Sequence, residues 1–204
     1  ICKNVFIGKT DVSGMTKEEA VKAVDNTLGD YRNKQLVLKV KDQGADVSIE
    51  EMGAEVENID KLAEKAVGYG KNGSIWSRYQ KIHNLDKKKY VIDESFKVDE
   101  AKLRELIQER AVPLEQKAVN ASASYNGSGF DLTDEAEGYT VDVDKSVKKI
   151  KNFMNKKWNY EDAEVELKLD MEEPTIKKAD LESLQDELGS YTTNAGWGDR
   201  VQNI

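Results

Sequence analysis

The chain has 204 residues, 38% of them hydrophobic and 34% charged, and a formal net charge of -8. That is enough chain for a core in one or two domains, and the acidic balance argues against a nucleic-acid partner, which requires clustered Lys and Arg to neutralise phosphates. Cys2 is the only cysteine and His83 the only histidine, which excludes an internal disulfide and a thiolate metal centre. No Ser lies in a Gly-x-Ser-x-Gly turn that would make His83 part of a hydrolytic triad. No metal and no cofactor is expected.

In chain order, Asn4 to Gly8 predicts a short strand, and Asp11-Val12-Ser13-Gly14 a turn into a helix from about Thr16 to Leu28. Thr16 with Glu19 has the spacing of a capping box, and Gly29 is the expected stop. Gln35 to Val40 alternates as a half-buried strand, Gln43-Gly44 turns the chain, and Asp46 to Ile49 returns. After the Gly53 segment, Asp60 is the expected cap of a helix to about Val67. Gly68, Gly70 and Gly73 then read as a tight or flexible loop, without the Gly-Lys-Ser/Thr ending of a phosphate loop.

The second half follows the same order. A helix from Asp99 to about Ala111 precedes a hairpin, Val119 to Tyr125 with Phe130 to Leu132, turned at Asn126-Gly127. The Glu137-Gly138 segment mirrors that around Gly53, Asp144 is the expected cap of a helix through Met154, and Ala163 to Leu169 closes the set, matched in the first half by Tyr90 to Phe96. Helix starts at Met15-Thr16, Val98-Asp99 and Ile176-Lys177 recur at about 80 residues, a domain-sized interval. The expected fold is therefore α+β, two tandem similar modules with helices packed on an antiparallel sheet. Their expected limits are residues 1–88 and 89–176, followed by a third region at 177–204.

Two aromatic groups follow the crossover helices: Trp76, Arg78 and Tyr79 in the first half, Trp158 and Tyr160 in the second. Aromatics with polar tips can form a platform for sugars or peptides, and can equally plug the end of a core. Abundant carboxylates allow an acid–base pair in principle, and Glu50 with Glu51 and Glu137 with Asp142 or Asp144 lie close in sequence. Glycosidases set two carboxyls about 5 to 9.5 Å apart across a cleft, so adjacency alone does not indicate catalysis.

Val5-Phe6-Ile7-Gly8 with Asp11 through Ala20 resembles the opening of the extracytoplasmic region of VanW-type proteins of Gram-positive bacteria, which are associated with vancomycin resistance. Phe96 through Lys145, with Tyr125-Asn126-Gly127 and Glu137-Gly138 inside it, is similar to the peptidoglycan-binding domain that those proteins share with certain L,D-transpeptidases. Glu187 through Asn194 and Arg200 through Ile204 resemble the first residues of the VanW domain. The cysteine-bearing catalytic domain of the transpeptidases has no counterpart, so the resemblance implies a non-catalytic, wall-facing module that binds peptidoglycan or spaces a downstream domain. Trp76, Arg78, Tyr79, Trp158 and Tyr160 are its candidate contacts. The rival reading is a stalk or protein-interaction module with no wall ligand.

No stretch approaches the ~20 apolar residues of a membrane span. The first and last residues do not resemble natural termini, so we expect a piece of a longer protein whose membrane anchor lies upstream.

Overall fold

A computed structural model describes residues 1–182. The third expected region and the VanW-like stretch from Glu187 to Ile204 therefore lie almost wholly outside the described residues. In order, the elements are β1 (Val5–Ile7), β2 (Thr10–Asp11), α1 (Lys17–Asp30), β3 (Gln35–Val40), β4 (Gln43–Ser48), β5 (Glu55–Val56), α2 (Ile59–Gly68) and α3 (Ile75–Asn84). They continue with β6 (Tyr90–Ile92), β7 (Phe96–Lys97), α4 (Glu100–Arg110), β8 (Ser122–Tyr125), β9 (Phe130–Thr133), β10 (Gly138–Val141), α5 (Val143–Lys156), β11 (Ala163–Glu166), β12 (Leu169–Glu172) and α6 (Lys178–Glu182). The fold is mixed: among the described residues, six α-helices accompany several small sheets.

Local chemistry explains most of the starts. Thr16 Oγ1 accepts from the Glu19 amide at 3.2 Å while the Glu19 carboxylate accepts from the Thr16 amide at 2.9 Å, a reciprocal capping box. Asp99 caps α4 alone, accepting from Ala101 and Lys102 at 3.0 and 3.2 Å. Elsewhere the expected boundaries move. Gly29 lies inside α1, and the cap of α5 is Asp142, which accepts from the Lys145 amide at 2.8 Å. Asp60 lies within α2, whose cap Asn58 sits in the left-handed region with φ 54° and makes no side-chain cap bond.

The described residues form two compact units, one of residues 1–115 with 140–170, the other of residues 116–139 with 171–182. In the first, β1 pairs antiparallel with β2 and parallel with β6. β3 is the centre of a three-stranded sheet, antiparallel to β4 and parallel to β11, with Leu38 opposite Val165. Val5, Ile7, Val12, Ala20, Val24, Ala63, Ala66, Leu85 and Ile92 form one buried cluster. Leu36, Leu38, Leu103, Ile107, Ile150 and Met154 are buried as well.

Two tandem similar modules are not shown. Strands from before residue 88 find partners after it, β1 with β6 and β3 with β11, so each half completes the sheets of the other. The mirrored glycines also do different work. Gly53 has φ +60°, a conformation that a side chain disfavours, whereas Gly138 is a close-approach position: a Cβ there would lie 2.2 Å from the Ala118 amide nitrogen.

In the second unit, β8 pairs with β9, and residues 116–119 run antiparallel to 136–139 through bridges Gln116↔Tyr139 and Val119↔Ala136. Asn120 Oδ1 holds the Thr175 and Ile176 amides at 2.8 and 3.1 Å, which ties the last described segment to this hairpin.

Candidate functional site

The two aromatic groups differ in burial. α3 begins where Ser74 caps it, accepting from the Ser77 amide at 3.2 Å. Ile75, Tyr79 and Ile82 stand at i, i+4 and i+7, with Trp76 beside them, so one face of the helix is apolar. That face is open: Ile75 is 86%, Trp76 68% and Tyr79 58% exposed. The Trp76 and Tyr79 rings stack with centroids 6.0 Å apart, and Tyr79 stacks in turn on His83 at 5.8 Å. Arg78 is exposed and makes no ion pair with a described residue.

Trp158 and Tyr160 are instead core, at 8% and 7% exposure. Their rings stack at 4.8 Å, and Phe96 meets both edge-on at 5.1 and 5.7 Å. The Trp158 indole N–H donates to the Glu161 carbonyl at 3.0 Å, so the one polar atom of the side chain is satisfied. Phe96 is held in place by Asn155 of α5, which accepts from its amide at 2.6 Å and donates to its carbonyl at 3.1 Å. Neither ring offers a face to a ligand. Of the five residues expected from sequence, Trp76, Arg78 and Tyr79 remain as candidates.

The surroundings of α3 are cationic. Between residues 71 and 89 stand Lys71, Arg78, Lys81, Lys87, Lys88 and Lys89 against a single acid, Asp86. Asp86 is already taken by Lys3 at 2.6 Å, and its carboxyl is held below the usual range by the hydrogen bond and charge of that lysine. None of the six cations makes an ion pair with a described residue. In a chain of net charge -8 this is a local reversal of sign beside an open aromatic face.

Three of the five carboxylates considered for catalysis, Glu51, Asp142 and Asp144, have structural partners. Arg110 forks onto Glu51, and its hydrogen bonds, helped by the Ser48 amide, hold the Glu51 carboxyl down at about 2. Asp142 is a helix cap, lowered first by its side-chain hydrogen bond to Lys145 and then by the Lys145 amide. Asp144 pairs with Arg104.

Sequence reasoning missed Glu94. Its carboxyl lies over Gly8, so close that a Cβ on Gly8 would overlap it, and one oxygen is buried with no hydrogen-bond partner. Burial pushes it up to about 7. A carboxyl whose folded value lies above its unfolded 4.5 stabilises the fold below about pH 4.5 and loses that contribution as pH rises to 7, where the native group must ionise in place. With its partial exposure discounted, the loss is on the order of 2 kcal/mol. Urea unfolding of the chain and of Glu94→Gln between pH 5 and 8 should show the difference between them growing with pH, the variant being the more stable at pH 8. A constant difference would contradict the assignment.

Among the grooves of the first unit, two adjoin α5. One, of about 420 Å³, lies between β11 and α5. The other, of about 450 Å³, runs past Gly53, Glu55, Lys97 and Lys102, where Glu100 and Lys151 are paired with each other. Glu94 lines neither.

An open aromatic face beside cations that make no ion pair with a described residue, and Glu51, Asp142 and Asp144 tied up as caps and ion pairs, describe a mixed α/β module whose exposed chemistry suits binding. Residues 45–163 match the family described as "Putative peptidoglycan binding domain". The match covers more than half of the chain, and the chain belongs to that family. It matches no curated protein and no solved structure. The family supports peptidoglycan as the partner and suggests a binding role over a catalytic one. α3 lies wholly within the matched residues.

Proposed function

We propose that this chain is a non-catalytic, extracytoplasmic module that binds peptidoglycan through the open face of α3, and that in a longer protein it spaces a VanW-like domain, beginning near residue 177, at the cell wall. The observation that carries the proposal is an aromatic pair standing free inside the matched residues: Trp76 and Tyr79 together offer a broad apolar platform against water. Sugar rings present C–H faces that stack on such platforms. Arg78, beside them on the helix and without an ion pair among the described residues, suits the hydroxyl and N-acetyl oxygens of the glycan as a hydrogen-bond donor. The lysines around it would make binding stronger at low salt.

Cosedimentation with purified sacculi tests this. Trp76→Ala/Tyr79→Ala should lower the retained fraction to an apparent affinity about tenfold weaker or less, because exposed aromatic anchors dominate such contacts. The unfolding midpoint should hardly move, since both side chains are exposed. Unchanged retention would remove α3 from the site.

A second reading is favoured by Ile75 and Ile82, also exposed on this helix, because aliphatic side chains add nothing to a sugar platform. They suit a protein partner, which is the stalk or interaction reading. It expects no retention on sacculi at all.

A further inference from the structure

The groove between β11 and α5 combines three features that the wall-binding proposal leaves unused. β11 is the outer strand of the sheet β11–β3–β4, bonded to β3 on one side. An outer strand presents unpaired backbone N–H and C=O groups, a ready template for an extended chain. Four residues long, it spans about 13 Å, the reach of a peptide of similar length.

The groove beside it holds about 420 Å³, within the range of small-ligand sites. Its charges are free. Lys39, Lys149 and Lys157 line it together with Glu164 and Glu166, yet none of the five makes an ion pair with a described residue. Elsewhere in the same unit lysines are taken, Lys34 by Glu161 and Lys145 by Asp142. Phe153 and Val165 supply an apolar floor.

We propose that this groove binds an extended peptide carrying both carboxylates and an amine, laid along β11 with its carboxylates toward the lysines and its amine toward Glu164 or Glu166. The identity of that peptide rests on the wall reading: a peptidoglycan stem peptide carries free carboxylates on its γ-linked glutamate and terminal alanine, and an amine on its diamino acid. The groove has the matching set, three cations to two anions. α3 then holds the glycan and this groove the peptide.

The probe is the synthetic pentapeptide L-Ala-γ-D-Glu-L-Lys-D-Ala-D-Ala, titrated into the ¹⁵N-labelled full chain. Amide shifts should concentrate at Lys39, Lys149 to Phe153 and Ala163 to Glu166, with α3 unmoved. The peptide with both carboxylates amidated should bind at least tenfold more weakly. Lys149→Glu/Lys157→Glu should weaken the free-acid peptide as much while leaving the unfolding curve in place, since neither lysine is buried or paired. The inference is overturned if those amides stay still at saturating peptide, if α3 moves instead, or if the amidated peptide binds equally well. Sacculus retention measured on the same sample separates the two proposals: retention without peptide shifts overturns the groove alone, and loss of both overturns the wall reading with it.

Discussion

Trp158→Ala should destabilise the first unit by about 3–5 kcal/mol, the usual cost of emptying a buried indole site. Three interactions are lost and a void is left. The stack on Tyr160 and the edge contact with Phe96 disappear, the Glu161 carbonyl loses its indole donor, and a cavity opens beside α5. Tyr160 is the more sensitive to this because its backbone has φ 67°, a conformation that tight surroundings must hold in a residue with a side chain. Trp158→Phe keeps an aromatic ring and should cost far less. Chemical denaturation of the three proteins measures both differences. A loss below about 1 kcal/mol for the alanine variant would mean that the ring does not fill the core as described.

Gly138→Ala should be nearly as costly, about 3 kcal/mol, and should act on the second unit. The added Cβ would sit 2.2 Å from the Ala118 nitrogen and 2.8 Å from the Lys117 carbonyl carbon, both main-chain atoms that no rotamer change can move. Overpacking against backbone must be relieved by separating the two segments, at the expense of bridges Gln116↔Tyr139 and Val119↔Ala136. Amide exchange resolves this by position. Protection should fall at Gln116, Val119, Ala136 and Tyr139 and be kept at Leu36, Leu38 and Val40, and uniform loss would show that the substitution unfolds more than its own hairpin.

Features set by short-range chemistry were legible in the sequence. The capping box at Thr16, the Asp99 cap and the alternation of Gln35 to Val40 depend on residues within a few positions of one another, and each stands as read. Pairing between distant strands was not legible. Nothing local in Val5–Ile7 or Gln35–Val40 specifies a parallel partner at Tyr90 or Ala163, and two halves with similar local signals read as two copies.

The candidate site divides in the same way. Trp76 and Trp158 occupy comparable places in sequence, and only tertiary packing separates a ring on an open helix from one closed over by Phe96. α3 itself carried a readable signal, a Ser74 cap followed by Ile75, Tyr79 and Ile82, which the neighbouring glycines obscured. Glu94 carried none, because its position over Gly8 depends on a turn folding back across more than eighty residues.

The central claim is that this chain holds the wall by a surface residue pair and not by its buried aromatics. Cosedimentation with purified sacculi tests it most directly when the wild-type chain, Trp76→Ala/Tyr79→Ala and Trp158→Phe are run side by side. The wild type and the Trp158→Phe variant should pellet alike, and the α3 variant, equally well folded, should stay in the supernatant. A wild-type chain that stays in solution, or an α3 variant that pellets with it, would contradict the claim.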